Sequence, residues 1–117
     1  MQLEPLKLTA DGTVFFNAAG RDHAIGFTGD LGGGSLAVIE AGATFQELGM
    51  DADVYKADNT GNVWEAVTDD NGVPIAYVAI PPAALAITMP KRVVGFRLTG
   101  STNPNVTIHP ERINSRG

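Results

Sequence analysis

The amino-acid sequence predicts an all-β fold: a small antiparallel β-sandwich, Ig-like or jelly-roll-like, of about eight strands. Three observations lead there. Fourteen glycines and seven prolines are spread along the 117 residues and cut them into pieces mostly too short for helices of typical length. Between the cuts, short segments alternate apolar and polar residues, the period that gives a strand one apolar face. Turn signals recur about every 8–12 residues, as in sandwiches and barrels.

The elements follow in order. Leu3 to Thr9 alternates, with Leu6 and Leu8 on one face, and Ala10-Asp11-Gly12 turns it into Thr13-Val14-Phe15-Phe16. This predicts an N-terminal hairpin or arm over residues 1–17. Ile25 and Phe27 share a face of the next strand, as do Leu36 and Val38 beyond Gly32-Gly33-Gly34, where positive φ or close backbone approach suits a second hairpin. A phosphate-cradling loop is the sharper alternative for these glycines, but no Gly-Lys-Ser/Thr ending and no helix period follow.

Residues 41–57 carry no clear period. Phe45, Leu48 and Gly49 suit one helical turn or an irregular crossover, with a strand resuming over Ala52 to Ala57. Asp58-Asn59-Thr60-Gly61 is a turn signal, because Asp and Asn bond their own backbone and Gly tolerates positive φ. It leads into a strand containing Trp64. The turn Thr68 to Gly72 separates that strand from Val73 to Ile80, which holds Tyr77 and is stopped by Pro81-Pro82. Leu85, Ile87 and Met89 share one side of a further strand, closed by Pro90. Val94, Phe96 and Leu98 point one way in the next, and Val106 and Ile108 in the last.

The predicted core is therefore Ile25, Phe27, Leu36, Val38, Trp64, Tyr77, Phe96, Leu98, Val106 and Ile108. One domain spans residues 1–110, and residues 111–117 form a flexible polar tail.

Composition bounds the partners. Eight basic against thirteen acidic residues give a net charge of −5, which argues against nucleic acid, whose binders display a basic face. Cysteine is absent, so neither disulfides nor thiolate zinc sites supplement the core. The start Met-Gln-Leu-Glu-Pro lacks the regions of a signal peptide, and no apolar run approaches the roughly 20 residues that span a bilayer, so a cytoplasmic product with no membrane partner is expected.

Candidate chemistry is sparse. Nucleophilic catalysis needs a base beside a hydroxyl or thiol, yet His23 and His109 come with no Gly-x-Ser-x-Gly elbow, so no enzyme and no catalytic residue is expected. Asp51, Asp53, Asp58, Asp69 and Asp70 crowd the middle of the chain without the spacing of an EF-hand loop; they read as acidic turns, with no metal and no cofactor. Trp64 with Tyr77 or Tyr55 is the one candidate sugar-binding platform, set against a core role for Trp64.

Two segments carry a resemblance: Phe27-Thr28-Gly29-Asp30-Leu31-Gly32-Gly33-Gly34-Ser35-Leu36-Ala37-Val38 and Val94-Gly95-Phe96-Arg97-Leu98-Thr99-Gly100-Ser101-Thr102, with Gly61 to Val67 between them. Over roughly residues 22–109 the chain resembles small β-sandwich virion proteins of tailed bacteriophages, although residues 41–57 depart from their pattern. The resemblance implies a non-enzymatic capsid decoration, or cement, protein made in the host cytoplasm and placed on the capsid surface. Its implied partners are the major capsid protein and its own copies, as a dimer or trimer. Leu3, Leu6 and Leu8 in the N-terminal arm, with Arg112 and Ile113 near the tail, are the candidate interface. A tail-associated or carbohydrate-binding sandwich is the alternative.

Overall fold

The computed structural model describes residues 3–42 and 64–113. Nine strands are present among them: β1 (Leu6–Leu8), β2 (Gly12–Asn17), β3 (His23–Asp30), β4 (Ser35–Ala41), β5 (Glu65–Ala66), β6 (Ala76–Tyr77), β7 (Leu85–Ile87), β8 (Val93–Thr99) and β9 (Asn105–Arg112). All pairings are antiparallel. The first sheet runs β1-β9-β3-β7 and the second β2-β8-β4-β5, with β6 also on β4.

The fold is all-β, as the alternation predicts, and its two sheets pack as a sandwich. β5 and β6 occupy one place in the second sheet. Val38 accepts the Val67 amide and donates its own to Ile75, so the chain leaves β4 at Val67, makes an outward hairpin, and rejoins β4 at Ile75. Asp69 shapes the tip: its carboxylate accepts the amides of Asn71 and Val73. Counting β5 and β6 together leaves eight strands, and every connection except β4 to β5 passes from one sheet to the other. That order is a jelly roll.

Both expected hairpins are thereby corrected. β1 pairs with β9 and β2 with β8, so Thr9 to Asp11 is a crossing between sheets, and its Asp11 carboxylate accepts the amides of Gly100 and Ser101 in the β8–β9 crossing. β3 pairs with β9 and β7, β4 with β8, β5 and β6. The glycine-rich link instead carries the chain between layers that lie about 10 Å apart in a sandwich. Leu31 is drawn into the core as it crosses, while the Asp30 carboxylate accepts the Gly32 amide at 2.7 Å. Gly32 has φ +65°, and a β-carbon there would sit 2.5 Å from the Thr102 carbonyl oxygen.

Apolar rows from the two sheets face each other. Ile25, Phe27, Leu36, Val38, Phe96, Leu98, Val106 and Ile108 are buried, with Phe16, Leu31, Val67, Ile87 and Val94 joining them. Phe96 lies at the centre, its ring 5.8 Å edge-on from Phe27 and 6.3 Å stacked from Phe16. Truncation of so enclosed a ring to alanine costs about 3–5 kcal/mol. Tyr77 is partly buried against this core, 5.5 Å from the Phe27 ring.

Trp64 is a correction. It stands outside the inter-sheet cluster, over Gly95 on the outer face of the second sheet. Gly95 pairs with both Phe15 and Ile39, and all three belong to the outward set because their neighbours Val94 and Phe96 point inward. The ring of Phe15 meets that of Trp64 at 5.9 Å.

The chain boundaries also shift. Glu111 and Arg112 continue β9, paired with Ala24 and His23, so the polar tail does not begin at residue 111. The possible helical turn and strand expected within residues 43–57 lie outside the described residues, as do the turn at residues 58–61 and the chain end from residue 114.

Candidate functional site

The crossings divide between the two ends of the sandwich. One end carries Asp11, the glycine-rich link and the loop at residues 100–104, knitted together by their backbones: the Thr102 amide donates to the Gly32 carbonyl at 2.9 Å. The opposite end carries residues 18–22, residues 88–92 and the end of β9, and it presents side chains to solvent.

Asp22 organises that second end. Its carboxylate accepts the Met89 amide at 2.8 Å, and its carbonyl accepts the Ile113 amide at 3.0 Å. Met89 is thereby held at φ +47°, just beyond the end of β7. Met89 is 78% exposed and Ile113 41% exposed. Two apolar side chains in water, fixed through their backbones to one aspartate, form a candidate protein-docking point. The turn before Asp22 is equally tied: the amides of Ala18 and Ala19 donate to the Arg92 carbonyl, and the Asn17 side chain accepts the Ala19 amide.

The residues expected to form an interface separate into two groups. Leu8 is buried in the core and has no surface to offer a partner. Leu6 and Leu3 are partly buried against the same core; Leu6 lies opposite Ile108, and the Leu3 amide donates to the Pro110 carbonyl at 3.1 Å. From Leu3 onward the arm is therefore laid on its own sheet, because an inward leucine row matches the inward row of β9. Arg112 is half-buried in β9, and Ile113 alone of the five is a large exposed apolar residue. Met89 was missed from sequence, since period two places it beside Ile87.

The titratable groups are dispersed. His109 lies on the outer face of the first sheet, its Nε2 3.2 Å from the Thr28 hydroxyl. His23 lies between the sheets at the Asp22 end, fully buried, with Nδ1 2.8 Å from the Arg21 carbonyl. Burial holds its pKa below the ordinary value, with the Arg112 charge adding to the effect and the Arg21 carbonyl opposing it. Burial likewise raises the Tyr77 phenol. Lys91 pairs with Glu65 at the surface, which raises its pKa through that hydrogen bond. Among the described residues no three His, Asp or Glu side chains gather as a metal site.

Trp64 and Phe15 are each half-exposed, and their edge-on contact forms the one aromatic pair on an outer face among the described residues. Tyr77 points the other way, into the sandwich, so it cannot share a platform with Trp64.

No family model matches the chain, and no curated protein and no solved structure matches it either.

Proposed function

We propose that this chain is a non-enzymatic structural protein of a tailed-phage virion, a decoration protein that binds the head shell and stabilises it. The observation that carries the docking role is the pair Met89 and Ile113. Both are exposed, and both are fixed by hydrogen bonds to Asp22. Backbone already ordered before contact loses little freedom on binding, so the burial of these two side chains is offset only by their own rotamer ordering. The segments around Gly32 to Gly34 and Phe96 to Gly100, which resemble those of such virion proteins, supply the virion context. Contacts of about 800 Å² per partner, repeated over many copies, suffice for stable decoration.

Purified protein mixed with expanded, undecorated shells is expected to bind to saturation. A Met89→Asp/Ile113→Asp variant, folded as judged by its circular dichroism, is expected to bind at least about tenfold more weakly, since hot-spot truncations cost 2 kcal/mol or more. Absence of saturable binding by the unaltered protein overturns the proposal.

A second reading, a carbohydrate-binding module, is favoured by the half-exposed Trp64–Phe15 pair. Glycan-array hits whose loss follows Trp64→Ala support it, and a blank array removes it.

A further inference from the structure

Among the described residues the sandwich is open along one side. The first sheet ends there in β7, whose pairing partner among the described residues is β3 alone. The second sheet ends in the hairpin that leaves β4 at Val38. Between these two edges lies a cleft of about 410 Å³. Its floor is apolar, made by Val67 and Ile87, both buried, and by Ile75 and Leu85, which are partly buried on the core. Its rim is acidic: Glu40, Asp69 and Asp70 line it, and among the described residues no basic side chain does. Asp69 is committed to its own turn and Glu40 accepts the Lys91 amide, whereas Asp70 is exposed at the hairpin tip.

We infer that this cleft captures an extended segment of a partner protein, added as a strand to the open edge of β7, whose inward side chains combine apolar residues with a lysine or arginine. An edge strand offers unpaired N–H and C=O groups, and strand addition satisfies them while alternate side chains drop into the pockets alongside. Here those side chains meet Val67, Ile75, Leu85 and Ile87. A Lys or Arg on the same face lays its aliphatic stem over that floor and brings its charge to the rim. A segment with acidic inward residues is refused, because like charges would be brought together at the acidic rim. The inference goes beyond the virion reading and does not rest on it: Met89 also lines the cleft, but Ile113 and Asp22 do not, so a shell can be bound at that end with no strand on β7.

The test uses the full chain, isotopically labelled for amide NMR, and a blocked heptapeptide, Thr-Val-Thr-Lys-Thr-Val-Thr. Saturable shifts are expected in the amides of Leu85 to Thr88 and of Thr68 to Asp70. The same peptide with Glu for its Lys is expected to bind at least about tenfold more weakly, as is the Lys peptide to an Asp70→Lys variant, a change confined to an exposed turn. Peptides methylated on alternate backbone nitrogens, in both registers, distinguish strand addition from charge attraction: one register is expected to lose binding. Equal binding of the Lys and Glu peptides, equal binding of both methylated registers, or no shift along β7 overturns the inference. No shells are present in this titration, so its failure leaves shell binding untouched.

Discussion

The six-membered ring of Trp64 fills the space in which Gly95 would carry a β-carbon, its Cη2 2.9 Å and its Cζ3 3.0 Å from that point. The Cγ1 atom of Ile39 closes the same space at 3.3 Å. Gly95→Ala must therefore displace the indole, and overpacking of this kind costs about 1–3 kcal/mol. In a Trp64→Ala background only Ile39 has to give, by a few tenths of an ångström, so the two substitutions should be non-additive by about 1–2 kcal/mol. Urea denaturation of the four proteins measures the coupling, and the emission of Trp64 in Gly95→Ala should shift to the red. Additive losses would mean that the ring does not rest on Gly95.

Two glycines in the β3–β4 region separate steric from conformational cost. A β-carbon on Gly29 would sit 1.8 Å from the Asn105 carbonyl oxygen at φ +105°, whereas one on Gly33, at φ +78°, meets nothing within 4 Å. Gly33→Ala carries only the penalty of a left-handed backbone, about 1–2 kcal/mol. Gly29→Ala must also part β3 from β9, which places it in the rare class above about 4 kcal/mol. Thermal unfolding of both variants checks the order; comparable losses would contradict the close approach of the two strands.

What was legible in the sequence was local. Alternation marked Phe96 and Leu98 as inward, and the chemistry of Asp69 to Gly72 marked a turn, because each depends on residues a few positions apart. Pairing was not legible: a period of two assigns a face to Leu6 and Leu8 but not a neighbour, and theirs, Ile108 and Val106, lie at the other end of the chain. The same limit hid the meaning of Gly95, whose missing side chain makes a seat for Trp64 only once β2, β8 and β4 stand side by side. Met89 escaped because the Asp22 carboxylate, far off in sequence, takes its amide and holds it in a left-handed, exposed conformation that the period of two does not reveal. Of the candidate docking point, Ile113 was named from the sequence and is exposed; the cleft was not named, since its walls come from β7 and from the hairpin on β4.

Asp11 ties two inter-sheet crossings at the closed end. Its carboxylate accepts the amides of Gly100 and Ser101, each at 3.0 Å, and also the Ser101 hydroxyl. Asp11→Ala leaves these donors to water at an exposed site, so a loss of about 1–2 kcal/mol is expected. Hydrogen exchange at Gly100 and Ser101 should quicken more than at Phe96. Unchanged exchange at those two amides would show that the contact holds nothing in place.

His23 should make stability depend on pH. The Arg21 carbonyl can only accept, so Nδ1 carries the proton, and Nε2 is left buried with no hydrogen-bond partner. Phe16 faces the ring edge-on at 5.0 Å, Ile87 lies opposite on β7, and the charged neighbours are Arg112 on β9 and Asp22 beside it. Protonating Nε2 would place a second proton, and a charge, where only Asp22 offsets it. The folded state thus holds the imidazole neutral below its ordinary value of 6.5. As pH falls through 6.5 the unfolded chain takes up a proton that the folded chain does not, so the contribution of His23 is intact above 6.5 and is lost towards its lower folded value. In His23→Asn the side-chain amide still donates to Arg21 but has no proton to gain. Urea midpoints measured from pH 7.5 to pH 5 should fall more steeply for the unaltered protein than for His23→Asn, with the carboxylates common to both cancelling in the difference. Parallel curves would show that the imidazole titrates alike in the folded and unfolded chains.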